Sequence, residues 1–258
     1  MSGRCSVLEY APGQSRTLVE LFGLPVDALT MDQTVAAVRE MVAHGGGYQH
    51  VSLNAAKVIA AKEDPRLAAI IRQCDLVSAD GMSVVWAGRI LGSRLPERVA
   101  GIDLFERLVE TAERDRRSVY FLGARREIVE KVASVFKLRH PGLRIAGIRD
   151  GYWDDDDQVV ADIRGARPDF LFLAIPSPRK EFWLFDHLDD IGVRFAMGVG
   201  GSFDVIAGVT GRAPRIVRRT GLEWSWRLIQ EPRRMWRRYL VGNLSFVRLT
   251  AREWWRAR

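Results

Sequence analysis

The segment Asp169-Phe170-Leu171-Phe172-Leu173-Ala174-Ile175 is the most apolar strand-like stretch of the chain. A short, continuous apolar run of this kind predicts a strand that is buried on both faces. Residues 178–189 follow it with helical periodicity. A buried strand followed by a helix is typical of a βαβ unit with parallel strands. The segment therefore indicates an α/β fold.

The same alternation of strand and helix extends in both directions from this segment. Thr30 and Gln33 have the spacing of a capping box and predict the start of an earlier helix. The other predicted strands cover residues 49–53, 75–79, 118–122, 144–148 and 194–199. The other predicted helices cover residues 55–62, 65–73, 82–91, 102–114 and 127–138. These elements predict about six strands in one doubly wound, Rossmann-like, mainly parallel sheet.

Length and composition limit the class of protein. The chain has 258 residues and a hydrophobic fraction of 47%, so it can bury the core of a large α/β domain. Its two cysteines, Cys5 and Cys74, cannot form a disulfide framework. The first twenty residues do not resemble a signal peptide, and we find no apolar stretch long enough to span a membrane. We therefore expect a soluble or peripheral protein in a reducing compartment.

The charge is unevenly distributed along the chain. Residues 212–258 contain thirteen arginines and three glutamates, a net charge of +10, whereas the whole chain carries +7. Residues 1–211 therefore carry −3. Five of the eight tryptophans also lie in 212–258. We predict an α/β domain over 1–211 and a basic helical appendage over 212–258 that contacts an anionic membrane surface. An amphipathic helix packed on its own domain is the alternative interpretation.

Polar or glycine-rich turns follow several predicted strands, and ligands of open α/β sheets bind at these carboxyl ends. The residues concerned are Asn54, Asp80, Gly81, Gly123, residues 176–181 and residues 198–201. Each has a structural alternative when it is taken alone. Asp80 can cap the helix that follows it, and Asn54 can satisfy neighbouring backbone groups. The turn at 198–201 fits close packing as well as a phosphate site.

We expect no metal site and no cofactor. The acidic run Asp154–Asp157 could suggest a metal-binding DxD motif, but it opens a predicted helix, where carboxylates are favoured by the helix dipole. The histidines share no metal-ligand spacing; they are His44, His50, His140 and His187. We therefore interpret the acidic run as a solvated helix start and the histidines as structural.

Together these strand ends resemble the WecG/TagA/CpsF glycosyltransferase family over residues 20–247. The N-terminal motifs are Ser52-Leu53-Asn54, Ala79-Asp80-Gly81, Glu97-Arg98-Val99-Ala100-Gly101-Ile102-Asp103 and Phe121-Leu122-Gly123. The later motifs are Pro178-Arg179-Lys180-Glu181, Gly198-Val199-Gly200-Gly201-Ser202-Phe203-Asp204, Arg212-Ala213-Pro214, Gly221-Leu222-Glu223-Trp224 and Arg237-Arg238-Tyr239. Their order and spacing make a chance match improbable.

The resemblance implies a metal-independent, inverting transferase with a UDP-sugar donor, typically UDP-N-acetylmannosamine. The implied acceptor is N-acetylglucosamine on undecaprenyl diphosphate, used in surface polysaccharide synthesis at the cytoplasmic face of the membrane. The resemblance makes Asp80 the general base. The implied substrate-binding residues are Ser52, Asn54, Arg98, Gly123, Lys180, Glu181 and Gly200, with Arg227, Arg234 and Arg237 from the appendage. A homo-oligomer is compatible with the family.

The sequence departs from the family pattern at three places. Ser52 stands where the family usually has threonine, which preserves the hydroxyl group. Lys180 occupies the position of a pocket glutamine, so a cation replaces a neutral amide. A lysine there can read a different sugar substituent or the diphosphate itself, which leaves the donor sugar open. Residues 254–258 extend beyond the shared motifs.

Three other functions compete with this interpretation. A glucosyl or other hexosyl transferase of the same family is the nearest alternative. A nucleic-acid-binding module would use the basic tail, but the chain has no recognised nucleic-acid motif and residues 1–211 are acidic. We therefore expect no nucleic-acid partner. A nucleotide sensor would keep the pocket but lack turnover.

Overall fold

A computed structural model of the chain describes residues 5–9, 15–214, 226 and 232–256. An N-terminal antiparallel sheet contains β1 (Cys5–Glu9), β2 (Ser15–Leu21) and β3 (Leu24–Asp27). The main sheet contains β4 (Tyr48–Leu53), β5 (Leu76–Ala79), β6 (Ser118–Gly123), β7 (Arg144–Arg149), β8 (Phe170–Ala174) and β9 (Phe195–Gly198). Its strands are all parallel, in the order β5-β4-β9-β8-β6-β7.

Helices connect the strands and cover both faces of the main sheet. They are α1 (Met31–His44), α2 (Ala55–Glu63), α3 (Pro65–Gln73), α4 (Met82–Ile90), α5 (Gly101–Arg114), α6 (Arg126–Arg139), α7 (Asp156–Ala166), α8 (Arg179–Ile191), α9 (Ser202–Ile206) and α10 (Pro232–Arg256). Thr30 and Gln33 form the predicted capping box of α1. The predicted α/β fold with a doubly wound parallel sheet is confirmed.

The apolar segment that predicted the fold lies inside the sheet. All five residues of β8 are buried, and β8 pairs with β9 on one side and with β6 on the other. Phe172 of β8 packs against Phe105 of α5, with ring centroids 4.6 Å apart. Phe121 of β6 stacks on Phe136 of α6 at 5.6 Å. This aromatic layer belongs to one core, and a second core lies around α2, α3 and α4.

The second core includes part of the C-terminal helix. Phe246 of α10 is 4% exposed, and its ring lies 5.2 Å from that of Phe22, which follows β2. Leu249 packs against the same core. Along this stretch, α10 packs against the α/β unit and supplies one of its core side chains.

The strand order of the main sheet changes direction at β4. The chain leaves β4 outward to β5, whereas β9 joins the other side of β4 after the chain has passed through β6, β7 and β8. Such a change of direction is a topological switch point, where open α/β sheets bind ligands. The residues that follow β4, β5 and β9 are therefore the first candidates for a site.

Candidate functional site

The carboxylate of Asp80 lies at the start of helix α5. Asp80 directly follows β5, and its N–H donates to the carbonyl of Leu53 at 2.8 Å. A Cβ atom built on Gly101, the first residue of α5, would lie 3.3 Å from Asp80 Oδ2 and 3.0 Å from Ser52 Oγ. The unpaired backbone N–H groups of a helix start favour a negative charge there. This arrangement places the Asp80 carboxylate beside the first turn of α5.

Asp80 is not the N-cap residue of the helix that follows it. Gly81 occupies the N-cap position of α4 with a φ of 117°, a conformation that glycine adopts without strain. A Cβ atom on Gly81 would lie 4.0 Å from Cβ of Asn54, so the turns after β4 and β5 are neighbours. Gly81, and not Asp80, therefore occupies the N-cap position of α4.

Arg98 lies in the loop that connects α4 to α5, next to the end of β5. Its neighbour Val99 donates its N–H to the carbonyl of Ala79, the last residue of β5, at 2.9 Å. Arg98 is half-buried in this loop. The structure thus brings Ser52, Asp80 and Arg98 to one end of the sheet.

Asn54 has a structural role that the sequence also suggested. It is the N-cap residue of α2, and its Oδ1 accepts a hydrogen bond from the N–H of Lys57 at 3.0 Å. A cap of this kind typically stabilises a protein by about 1 kcal/mol. Asn54 therefore holds the first turn of α2 beside the turn that contains Gly81.

Lys57 and Glu181 form a buried ion pair that the sequence analysis missed. Lys57 Nζ lies 2.7 Å from Glu181 Oε1, and the two side chains are 6% and 2% exposed. Ser177 Oγ donates to the other carboxylate oxygen at 2.8 Å. The sequence could have indicated this ion pair. Lys57 lies in the first turn of α2, where the helix dipole disfavours a positive charge, so its ammonium group requires a nearby acceptor.

The charge of Glu181 is maintained by these partners. Burial by itself disfavours an ionised carboxylate. The ammonium groups of Lys57 and Lys180, with hydrogen bonds from Lys57 and Ser177, nevertheless hold the pKa of Glu181 below its ordinary value. Glu181 was predicted to bind substrate, and in the structure its carboxylate contacts these protein groups beneath the surface.

Lys180 lies against the glycine-rich turn after β9. Its Nζ lies 3.4 Å from the carbonyl oxygen of Gly198 and 3.8 Å from Glu181 Oε1. A Cβ atom on Gly200, whose φ is 52°, would lie 3.3 Å from the same ammonium group. The structure therefore brings together two predicted site residues, Lys180 and Gly200, from α8 and from the turn after β9.

Two polar side chains of β4 are buried close to these charges. The pKa of His50 is lowered to about 3, first by burial and then by the positive charges of Lys57 and Lys180. His50 Nε2 lies 2.9 Å from Ser78 Oγ. Its Nδ1 and the hydroxyl of Ser52 have no hydrogen-bond partner among the described residues. β4 thus holds a neutral imidazole in its middle and a buried hydroxyl group near its end.

Gly123 lies further along the sheet edge and has a packing role. Its φ is 117°, and a Cβ atom there would lie 2.5 Å from the carbonyl oxygen of Ala174. A Cβ atom on Gly151 would lie 3.1 Å from Gly123 Cα. Glycine at position 123 therefore lets the chain segments at the ends of β6, β7 and β8 pack closely against one another.

The acidic run begins a helix, as predicted. Asp155 is the N-cap residue of α7 and accepts hydrogen bonds from the N–H groups of Asp157 and Gln158. Asp156 accepts hydrogen bonds from the indoles of Trp153 and Trp183. Among the described residues, no group of three or more His, Cys, Asp and Glu side chains has the arrangement of a metal site.

Arg212, the first residue of the predicted appendage, lies against the start of α5. Arg212 forms ion pairs with Asp103 and Glu106, which lie in the first two turns of α5. The predicted site residue Arg227 lies outside the described residues. Arg234 and Arg237 lie on α10, and their side chains are outside the described part of the chain.

Helix α10 has an exposed face of apolar and basic residues. The members recur every three or four positions, as one side of a helix requires. They are Leu244, Val247, Arg248, Ala251, Arg252 and Trp255. The opposite side carries Phe246 and Leu249, which pack against the second core. Among the described helices, none is long and apolar enough to cross a bilayer.

A shorter face of the same composition lies on α4, the helix that begins after Asp80 and Gly81. Trp86, Arg89 and Ile90 are exposed there at helical spacing. An aromatic ring, a guanidinium group and an aliphatic side chain on one face suit the boundary between water and lipid.

Comparison with known proteins agrees with this geometry. A family model described as the Glycosyl transferase WecG/TagA/CpsF family matches residues 19–258. An N-acetylglucosaminyldiphosphoundecaprenol N-acetyl-beta-D-mannosaminyltransferase of Staphylococcus aureus is 32% identical over 232 residues, 89% of each chain. A protein of the same name from Bacillus spizizenii is 37% identical over 180 residues, 70% of each chain. The chain therefore belongs to the WecG/TagA/CpsF family and is a glycosyltransferase.

Proposed function

We propose that this enzyme transfers N-acetylmannosamine from a UDP-sugar to N-acetylglucosamine carried on a polyprenyl diphosphate. The relatives' names state this sugar and this class of acceptor, which supports the assignment. The observation that carries the proposal is the Asp80 carboxylate, which lies beside Ser52 and the start of α5 at the end of a parallel strand. A carboxylate at this edge suits a base that activates an acceptor hydroxyl group.

In this proposal Asp80 removes the proton of the acceptor hydroxyl group. The hydroxyl oxygen attacks the anomeric carbon of the sugar while the bond from that carbon to the diphosphate breaks. Attack on the face opposite the leaving group inverts the configuration at this carbon.

The departing UDP gains negative charge on its diphosphate, and cationic side chains of this chain stabilise it. Arg98 lies at the same strand end as Asp80, and we assign to Arg227, Arg234 and Arg237 the same role from the appendage. The position of Arg212 supports this assignment. Its ion pairs with Asp103 and Glu106 bring the beginning of the appendage close to the start of α5, beside Asp80. Arginine suits this task because its guanidinium group forms charge-assisted, often bidentate bonds to phosphate.

The enzyme works at a membrane surface, on the cytoplasmic side in this proposal. The lipid-linked acceptor in the relatives' names supports this, and so do the exposed faces of α10 and α4. The apolar members of each face can enter the headgroup layer while the arginines attract anionic lipids.

A turnover assay with purified enzyme tests the proposed reaction. UDP release is measured with UDP-N-acetylmannosamine and an N-acetylglucosaminyl-diphospholipid acceptor, beside UDP-N-acetylglucosamine and UDP-glucose as donors. We expect turnover with the first donor. Asp80→Asn should lower kcat on the order of 10²- to 10⁴-fold, the range for loss of a general base, while UDP affinity changes little.

Asp157→Asn is the matched control, because Asp157 is an exposed carboxylate on α7. Its turnover should equal that of the unchanged enzyme. Turnover by Asp80→Asn at the rate of the unchanged enzyme would show that Asp80 is not the base. Faster turnover with another UDP-sugar would identify that sugar, instead of N-acetylmannosamine, as the one that the enzyme transfers.

A further inference from the structure

Apolar side chains form a stripe along α4 that begins next to the Asp80 site. Met82, the first residue of the helix, lies two positions after Asp80. Trp86 and Ile90 follow at intervals of four residues, which places the three side chains on one side of the helix. With a rise of about 1.5 Å per residue, the stripe extends about 12 Å along the helix axis. It therefore leads away from the carboxyl end of β5 along the outer surface of α4.

The stripe is exposed although its side chains are large and apolar. Trp86 is 46% exposed and Ile90 is 55% exposed. The opposite side of α4 is buried in the second core through Val84 and Val85. Removing an exposed indole ring and a branched aliphatic chain from water is favourable, and neighbouring apolar side chains at a surface are typical of a binding site. This face of α4 therefore suits an apolar ligand.

The proposed acceptor brings an apolar chain to this part of the molecule. Its reacting hydroxyl group must lie at Asp80, and one sugar ring and the diphosphate separate that group from the polyprenyl chain. The lipid therefore begins at some distance from Asp80. The stripe on α4 offers an exposed apolar surface that starts beside Asp80 and continues away from it. Its position and direction match the lipid part of the acceptor.

Arg89 adds a positive charge at the far end of the stripe. It is exposed between Trp86 and Ile90 on the same face of α4. A guanidinium group there can bind the phosphate of a lipid headgroup while the neighbouring apolar side chains contact hydrocarbon. Helix α10, whose exposed face carries further arginines, packs against the same second core as α4. The far end of the stripe thus suits the place where a polyprenyl chain passes from the enzyme into a bilayer.

We propose that the exposed face of α4, formed by Met82, Trp86, Arg89 and Ile90, binds the first isoprene units of the acceptor's polyprenyl chain. The inference rests on the proposed function and adds to it how the enzyme recognises the lipid part of its acceptor. Apolar contact with Trp86 and Ile90 increases the affinity for the acceptor and holds its sugar near Asp80.

Turnover with two acceptors that differ only in their lipid tests this inference. Both carry N-acetylglucosamine on a diphosphate; one ends in a farnesyl group and the other in a methyl group. The assay uses the full chain and UDP-N-acetylmannosamine, without detergent or membrane, so that bulk lipid cannot contribute. We expect kcat/KM to be about 10- to 100-fold higher for the farnesyl acceptor, as for the burial of a large apolar group. Equal kcat/KM for the two acceptors would overturn the inference.

The double variant Trp86→Ser with Ile90→Ser tests whether α4 causes this preference. Its kcat/KM for the farnesyl acceptor should fall about 10- to 100-fold, to the value for the methyl acceptor. The methyl acceptor lacks the lipid, so kcat/KM for it should stay unchanged, which also shows that the variant is folded. Leu138→Ser, at an apolar side chain of α6 that is 83% exposed, is the matched control and should keep the preference. A retained preference in the double variant would overturn the inference.

A conservative double variant, Trp86→Phe with Ile90→Leu, separates apolar contact from an effect on the fold. It keeps the face apolar and should keep most of the preference for the farnesyl acceptor. Complete loss of the preference in this variant would overturn the inference. A changed oligomeric state of Trp86→Ser with Ile90→Ser, with the preference retained, would assign the face to a second copy of the chain instead. If the unchanged enzyme transfers the sugar to neither acceptor, the proposed function itself fails.

Discussion

The backbone of Gly101 lies beside the carboxylate of Asp80: a Cβ atom on Gly101 would lie 3.3 Å from Asp80 Oδ2. The same atom would lie 3.0 Å from Ser52 Oγ. Glycine at the first position of α5 therefore lets the helix start approach both side chains. Because we propose this carboxylate as the base, the packing at Gly101 should matter for turnover.

Gly101→Ala should reduce turnover more than it reduces stability. The added methyl group must displace Asp80 or Ser52 by a few tenths of an ångström, and small misplacements of a reacting group are costly in rate. We expect kcat to fall about tenfold, with a change in the free energy of unfolding below about 1 kcal/mol. UDP-release kinetics and urea denaturation measure the two effects.

Gly165→Ala is the matched control within a helix. A Cβ atom on Gly165 in α7 would meet nothing within 4 Å among the described residues. Because alanine has the better helix propensity, this variant should gain about 0.5–1 kcal/mol of stability with turnover unchanged. Equal turnover in Gly101→Ala and Gly165→Ala would show that the contact with Asp80 does not matter for the reaction.

The stability of the protein should depend on pH through His50. Its folded-state pKa is about 3, against 6.5 in the unfolded chain. Between these values the unfolded state binds a proton that the folded state does not bind. The free energy of unfolding should therefore fall as the pH decreases below about 6.5, by about 1.4 kcal/mol per unit between pH 6 and pH 4.

His50→Gln should remove this contribution. A glutamine amide can replace Nε2 in the contact with Ser78 but does not titrate. Urea denaturation at several pH values measures the slope, and His44→Gln, at an exposed position near the end of α1, is the control. The same slope in His50→Gln as in the unchanged protein would assign the pH dependence to other groups.

Phe246→Ala should strongly destabilise the α/β unit. Phe246 is 4% exposed and contacts Phe22, so the substitution leaves a cavity in the second core. We expect a loss of about 3–5 kcal/mol in the free energy of unfolding. Leu244→Ala, at a side chain that is 52% exposed on the same helix, should cost less than about 0.5 kcal/mol. Similar small losses in both variants would mean that α10 does not stabilise the core in solution.

Val247→Glu should weaken membrane binding without unfolding the protein. Val247 lies on the exposed face of α10, and the substitution adds a negative charge where we expect anionic lipid. Sedimentation with anionic liposomes should fall about tenfold. Leu138→Glu is the control, because Leu138 of α6 is 83% exposed and lies on neither α10 nor α4. Equal sedimentation of the two variants would show that this face of α10 does not contact the membrane.

The fold was largely predictable because its signals are local. Continuous apolar runs and helical periods indicated all six strands of the main sheet and most of its helices. The N-terminal antiparallel sheet was missed for a physical reason. Phe22 and Gly23 connect β2 to β3 with φ values of 56° and 75°, and phenylalanine is an unusual residue for such a turn. The contact of Phe22 with Phe246, more than two hundred residues away, supports this conformation.

The sequence by itself determined the α/β fold, the strand ends that carry Asp80 and Asn54, and the family resemblance. The close approach of Gly101 to Asp80 and the ion pair of Lys57 with Glu181 depended on tertiary structure. Periodicity reports which face of an element is buried, but it does not report which strands become neighbours. The order β5-β4-β9-β8 brings α2, α8 and the turn after β9 together, and only that arrangement pairs the two charges.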